Sequence, residues 1–164
     1  MALSVWTKTG FAIAFLVVAI DRGYKWWMLN IYDIASRGTV TITPFFDITL
    51  IWNKGISYGL FQQNSDLGRY ILIAIILCIM AVLVVWLSRA QGYLIAVAIG
   101  LVLGGALGNV IDRVVYGAVA DFFSFHFWGY YWYVFNLADV WVVAGAVLLL
   151  YDSMFNEVPD KDVV

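Results

Sequence analysis

Charge is what this sequence has least of. Asp, Glu, Lys and Arg make up only 12% of its 164 residues, about half of the roughly 25% usual in soluble domains. That excludes an ordinary water-facing surface over most of the chain. The basic residues are not clustered and the net charge is −2, so no nucleic-acid partner is expected. A single cysteine, Cys78, allows neither an intrachain disulfide nor a cysteine-based metal site; within its apolar run it reads as a small hydrophobe. The one histidine, His126, has no cysteine or obvious serine partner and reads as an interfacial residue among aromatics. With one His and one Cys, a transition-metal centre is not expected, and no cofactor is implied. The apolar run at residues 10–20 is followed by DRGYKWWML rather than by a small-residue cleavage site. It therefore reads as a retained membrane helix and not as a signal peptide.

What the chain has in excess is apolar length. Hydrophobic residues make up 64% of it and the mean hydropathy is +0.90, the composition of one compact membrane domain. A hydrocarbon core takes about 20 predominantly apolar residues to cross, and four segments meet that length, at about 9–29, 68–88, 92–115 and 134–155. The fold class expected is an α-helical integral membrane protein with four transmembrane helices. Gly100 and Gly104, four apart, would let a second helix approach the third crossing closely. Residues 30–67 carry β-branched and aromatic residues punctuated by glycine and predict a small extramembrane β platform between the first two crossings. Residues 116–133, YGAVADFFSFHFWGYYWY, are aromatic enough to predict an interfacial flap loop at the headgroup level. The polar tail, residues 156–164, is expected to be disordered at its end. Lys and Arg fall mainly in and beside the first loop (Arg22, Lys25, Arg37, Lys54, Arg69), against Lys8, Arg89 and Lys161 on the other side. Taken literally, this bias puts that loop in the cytoplasm.

Against this background a few polar residues stand out, because an ionisable group inside a membrane segment is by default a functional candidate. Asp21 and Lys25 are four apart, on one helical face and in the favourable order for an internal ion pair. Asn53 lies in a glycine-bounded run with Gly55 and Gly59. Asn109 and Arg113 share a face of the third crossing, whereas Asp112 diverges from Arg113 by about 100° and is expected in structural support. Asp121 follows the end of the third crossing and Asp139 begins the fourth, so both lie near one membrane face. Two converging carboxylates cannot both ionise easily. One then serves as base toward water and the other as acid toward the leaving group, which is aspartyl hydrolysis chemistry. The alternative is a small proton-coupled transporter or channel using Asp121 and Asp139 as a relay, although the sequence shows no internal repeat.

The blocks DRGYK (residues 21–25), NKGISYG (53–59), GGALGNVIDRVVYGAVADF (104–122) and FNLAD (135–139) together resemble lipoprotein signal peptidase, the signal peptidase II family. The second block departs from the usual pattern in Tyr58, where Phe is common, and in Lys54, Ile56 and Ser57. The resemblance implies an aspartic endopeptidase, a hydrolase of the bacterial inner membrane, that cleaves diacylglyceryl-modified prolipoproteins just before the lipidated cysteine. It implies catalytic roles for Asp121 and Asp139. Asn53, Asn109, Arg113 and Asn136, with Asp21, match residues that line the family's site. Gly55, Gly108, Ala138 and Lys25 fall in the same blocks as site support. It further implies cytoplasmic termini and an active site near the periplasmic face, reversing the charge count; the partners expected are the prolipoprotein substrate and membrane lipids, with the chain itself a monomer. On this reading the platform at 30–67 covers the site, and Trp128, Tyr130 and Trp132 seat a moving flap in the headgroup layer.

Overall fold

The computed structural model describes residues 3–55, 66–128 and 130–155, with the side chains of Tyr131 and Trp132 left aside. Tyr58, Gly59, the rest of residues 56–65 and the polar tail lie outside the described residues. Among the described residues nine elements follow in order: α1 (Val5–Asn30), α2 (Ile34–Arg37), β1 (Val40–Thr43), β2 (Phe46–Asn53), α3 (Asp66–Ser88), α4 (Tyr93–Val115), β3 (Val119–Phe127), β4 (Tyr130–Phe135) and α5 (Leu137–Phe155).

Among the described residues three helices, α3, α4 and α5, are long and apolar enough to cross a membrane. The remaining expected crossing falls on α1, which carries Lys8, Asp21, Arg22 and Lys25. Helix α3 buries little beyond Gly68, Leu72, Ile73 and Leu87. Its outward side chains, among them Ile71, Ile75, Ile79 and Val82, are exposed, a surface that suits lipid and would be an aggregation hazard in water. Cys78 lies on the same helix and is exposed.

Helix α4 is the centre of the bundle, and its glycines make it so. A Cβ at Gly104 would stand 2.6 Å from Val17 Cβ on α1, and one at Gly105 would collide with the Ala138 carbonyl oxygen on α5. Gly100 meets the Gly10 carbonyl oxygen and Ile13 in the same way, so the Gly100 and Gly104 pair faces α1 while Gly105 faces α5. Without a hydrophobic drive in lipid, such close backbone approach supplies the packing. Leu87, Ala90, Ala96, Ile99 and Leu103 form the apolar core where α3 meets α4.

The strands form one antiparallel sheet in the order β1-β2-β3-β4. Here the structure corrects the sequence reading in one respect. The aromatic stretch 116–133, expected as a loop, supplies β3 and most of β4, and β3 pairs with β2, setting Ile51 opposite Asp121 and Asn53 opposite Val119. Aromatic residues suit the headgroup level and the pleated surface of a sheet equally, and composition alone did not separate the two. Ala120 and Phe122 turn inward onto Met28 and Ile34. The opposite pleat carries Asp121, Phe123 and Phe125, with Phe123 and Phe125 packed against Phe46 and Phe135. His126 Nε2 lies 3.1 Å from Asp47 Oδ2 across β2 and β3, so it joins two strands as well as lying among aromatics. At the tip of the β3-β4 hairpin, Trp128 and Tyr130 are 88% and 84% exposed.

Candidate active site

Two carboxylates are brought together where the sheet meets the bundle. Asp121 comes from the middle of β3 and is 1% exposed; Asp139 comes from the first turn of α5. Asn136, between β4 and α5, touches both. Its Nδ2 donates to Asp121 Oδ1 at 2.6 Å, and its backbone N–H donates to Asp139 Oδ2 at 3.1 Å. In return the Asp139 N–H donates to Asn136 Oδ1 at 3.1 Å. This reciprocal pair is a capping box in which Asn136 occupies the N-cap and Asp139 the third helical position, satisfying two otherwise orphaned amides of α5.

The remaining carboxylate oxygens are also engaged. Asn109 Nδ2 on α4 donates to Asp139 Oδ1 at 2.8 Å, and Asn136 Nδ2 reaches Asn109 Oδ1 at 3.1 Å. Asn53, the last residue of β2, donates from Nδ2 to Asp121 Oδ2 at 3.0 Å. Its Oδ1 accepts from the Gly55 N–H at 2.9 Å, a local turn of the kind Asn side chains favour. Arg113 Nη2 donates to the Gly55 carbonyl oxygen at 2.7 Å and its Nη1 to the Asn109 carbonyl oxygen at 3.3 Å. Arg113 thus ties the end of β2 to α4.

Behind these residues lies a buried ion network, in which Asp21 is 0%, Lys25 1% and Asp112 0% exposed. Lys25 Nζ contacts Asp112 Oδ2 at 2.6 Å and Asp21 Oδ2 at 3.3 Å. Arg22 contacts Asp112 Oδ1 at 2.6 Å and Asp21 Oδ2 at 2.8 Å. Two acids and two bases offset one another's charge, which is what makes their burial tolerable. Asp112 Oδ2 also accepts from the Ala120 N–H at 3.2 Å, the residue immediately before Asp121. Gly108 leaves the room this network needs, since a Cβ there would stand 2.6 Å from Asp21 Oδ2 and 3.5 Å from Ala138 Cβ. Ala138 itself is fully buried.

The candidate site residues gather in one region: Asn53, Gly55, Asn109, Asn136, Arg113, Asp121 and Asp139 in one hydrogen-bonded group, and Asp21, Lys25, Gly108 and Ala138 packed behind it. Two participants, Arg22 and Tyr133, were missed, while Asp112, expected in structural support, proves more central than expected. Arg22 belongs to the network on equal terms with Lys25. Asp112 is its hub. Tyr133, whose hydroxyl lies 2.9 Å from Asn53 Nδ2, carried no signal beyond membership of an aromatic run.

Asp121 and Asp139 face a cavity of about 260 Å³ whose other walls include Leu72, Ile75, Ile76 and Ile79 of α3. An apolar groove of about 540 Å³ adjoins it, lined by Tyr133, Phe135, Val140, Val143 and Ala144 and sharing Asp139. Burial pushes the Asp121 carboxyl up to about 7, and the negative charge of Asp139 adds to the rise; hydrogen bonds from Asn136 and Asn53 and the charge of Lys25 oppose it. Near neutral pH, Asp121 thus exchanges a proton readily while its neighbour remains within the same polar group.

Fold and site together define a helical membrane protein with two joined carboxylates, Asp121 buried and Asp139 half-buried, opening on an apolar-walled cavity. Residues 13–155 match the model of the family described as Signal peptidase (SPase) II. A lipoprotein signal peptidase of Nitrobacter hamburgensis is 49% identical over 153 residues, covering 91% of this chain and 93% of that protein. Another, of Beijerinckia indica subsp. indica, is 49% identical over 144 residues, covering 88% and 86%. Among solved structures, a bacterial membrane enzyme determined by the in meso method at 2.3 Å resolution is similar with a TM-score of 0.73 and 31% identity, covering 96% of this chain and 95% of that one. The chain belongs to the signal peptidase II family.

Proposed function

We propose that this protein is a membrane aspartic endopeptidase that removes the signal peptide from diacylglyceryl-modified prolipoproteins, cutting just before the lipidated cysteine. The observation that carries the reading is the joining of Asp121 and Asp139 through Asn136 at an apolar-walled cavity, in a chain matched to a peptidase family over residues 13–155. The comparisons lend no support to the alternative of a proton-coupled transporter.

In the mechanism we propose, Asp139 is the base and Asp121 the acid. Asp139 stands at the positive end of the α5 dipole and receives N–H groups from Asn109 and Asn136, a setting that suits negative charge. It takes a proton from water as the water oxygen attacks the scissile carbonyl carbon. Asp121, protonated below about pH 7, donates to the carbonyl oxygen, giving a neutral gem-diol. In the collapse the protonated Asp139 gives its proton to the leaving amine as the C–N bond breaks, and a gem-diol hydroxyl returns a proton to Asp121. Asn53, Asn109 and Asn136 hold the two carboxylates. Arg113 fixes Gly55, whose backbone borders the cavity.

The proposed setting is the bacterial inner membrane, with four crossings, cytoplasmic termini and the site near the periplasmic face. Helix α1 is 26 residues long, about 39 Å at 1.5 Å per residue. Arg22 and Lys25 are compensated by Asp21 and Asp112, while Phe11, Phe15 and Leu16 face outward. Two of the basic residues in that charge count, Arg22 and Lys25, are thus paired inside the protein. A lipid-anchored substrate would enter sideways from the bilayer, and the apolar α3 wall suits that route. Trp128 and Tyr130 suit the headgroup layer, and the protein is proposed to act as a monomer.

The test is incubation of the purified protein with a diacylglyceryl-modified prolipoprotein. Released signal peptide is expected, and its absence would remove the reading; proteoliposome flux dependent on the two aspartates would replace it with the transporter. The pH dependence follows from Asp121. Its folded value of about 7 lies above its ordinary 3.8, so the acid form is lost as pH rises through about 7. Cleavage is therefore expected to fall along an alkaline limb centred near there. The same shift makes the folded state bind the proton more tightly than the unfolded chain, so stability declines between the two values as pH rises. Wild-type protein should melt lower at pH 8 than at pH 5, and Asp121→Asn should narrow that gap. A gap unchanged by the substitution would contradict the assignment of the proton to Asp121.

A further inference from the structure

The carboxamide of Asn53 is fully used. Its Oδ1 accepts from the Gly55 N–H, and its Nδ2 approaches both Asp121 Oδ2 and the Tyr133 hydroxyl, at 3.0 and 2.9 Å. The Gly55 N–H is a donor only, so it fixes which end of the amide is oxygen. Both amide hydrogens then lie on Nδ2, one directed to Asp121 and the other to the phenol oxygen, which accepts it. Tyr133 comes from β4 and Asn53 from the end of β2, with β3 and Asp121 between them. The hydroxyl therefore clasps the sheet across the strand that carries the acid.

We propose that Tyr133 is a positioning residue for the dyad, holding the Asn53 amide so that its other hydrogen stays on Asp121 Oδ2. This rests on the peptidase reading above. With Tyr133 absent, the amide retains its Gly55 anchor, and rotation about that anchor carries Nδ2 away from Asp121. Tyr133 also borders both the cavity that the two carboxylates face and the adjoining apolar groove, so it stands where an arriving chain would press on the amide. The hydrogen bond from Asn53 is one of the influences that hold the Asp121 carboxyl down. Loosening it moves the alkaline limb of activity upward, an effect that a tyrosine serving only to pack the sheet would not produce.

Tyr133→Phe keeps the ring and removes the hydroxyl. In cleavage assays with a diacylglyceryl-modified prolipoprotein, kcat is expected to fall about 3- to 10-fold, the scale of one neutral hydrogen bond. KM should stay within about twofold of wild type and the alkaline limb should move to higher pH. In an Asn53→Ala background, Tyr133→Phe should cause no further loss, because the residue acts through Asn53. Wild-type kcat and an unmoved limb in Tyr133→Phe, or full additivity in the double variant, would overturn the proposal while leaving the peptidase reading intact. Failure of the wild-type protein to cleave would remove the peptidase reading and this proposal with it.

Discussion

Asp121→Asn and Asp139→Asn, made separately, are each expected to lower the rate of prolipoprotein cleavage by about 10²–10⁴-fold, the span one positioned acid or base contributes. Neither substitution should release the fold. Asparagine keeps the size of the side chain and one acceptor oxygen, so at each position one of the two incoming amides retains a partner: Asn136 or Asn53 at residue 121, Asn109 or the Asn136 N–H at residue 139. What is lost is the exchangeable proton at one position and the base at the other. Because the two carboxylates act as a unit, the double variant should be little worse than either single one. Turnover by purified variants, with melting in the same detergent, measures both halves of the expectation. Near-wild-type turnover in either variant would remove the dyad.

The second large effect concerns stability. Asp112→Ala is expected to cost about 3–5 kcal/mol, the range for removing one member of a buried ion pair. Lys25 would keep its 3.3 Å contact to Asp21 and its 3.4 Å contact to Asn109 Oδ1, Arg22 would lose a 2.6 Å partner, and the Ala120 N–H would lose its acceptor. The melting temperature should fall sharply, and activity with it, because Ala120 is adjacent to Asp121. Combining Asp112→Leu with Lys25→Met should recover only part of the loss. That pair of changes removes two charges together, but Arg22 keeps only its Asp21 partner and the Ala120 amide remains without an acceptor. Full recovery would mean that the strand contact contributes nothing.

How much of this could be read from the chain depended on distance along it. The apolar runs that became α3, α4 and α5 announced themselves by length, since lipid demands it. Asp21 and Lys25 were paired from a spacing of four. Arg113 and Asp112 were separated by the angle between adjacent helical residues, and the structure sends one to Gly55 and the other to α1. The partners of Asp112, by contrast, lie 87 residues away on α1 and eight away on β3, and no local pattern encodes such a meeting. The β3-β4 hairpin was hidden for a different reason. Its aromatic residues satisfy a headgroup layer as well as a strand, and the register that places Asp121 opposite Ile51 is a property of the assembled sheet. Tyr133 inherits that blindness, being functional here only because β2, β3 and β4 lie side by side.

The start of α5 narrows what residue 136 can be. Helix initiation by itself would accept Ser, Thr, Asp or Asn at the N-cap with little distinction. Here the same side chain must accept from the Asp139 N–H through Oδ1 while giving hydrogens to Asp121 Oδ1 and Asn109 Oδ1. A hydroxyl has too few hydrogens for that and a carboxylate has none. Substitutions that leave the helix well capped would still separate the carboxylates from their shared partner, so tolerance at this position is set by proton chemistry rather than by folding.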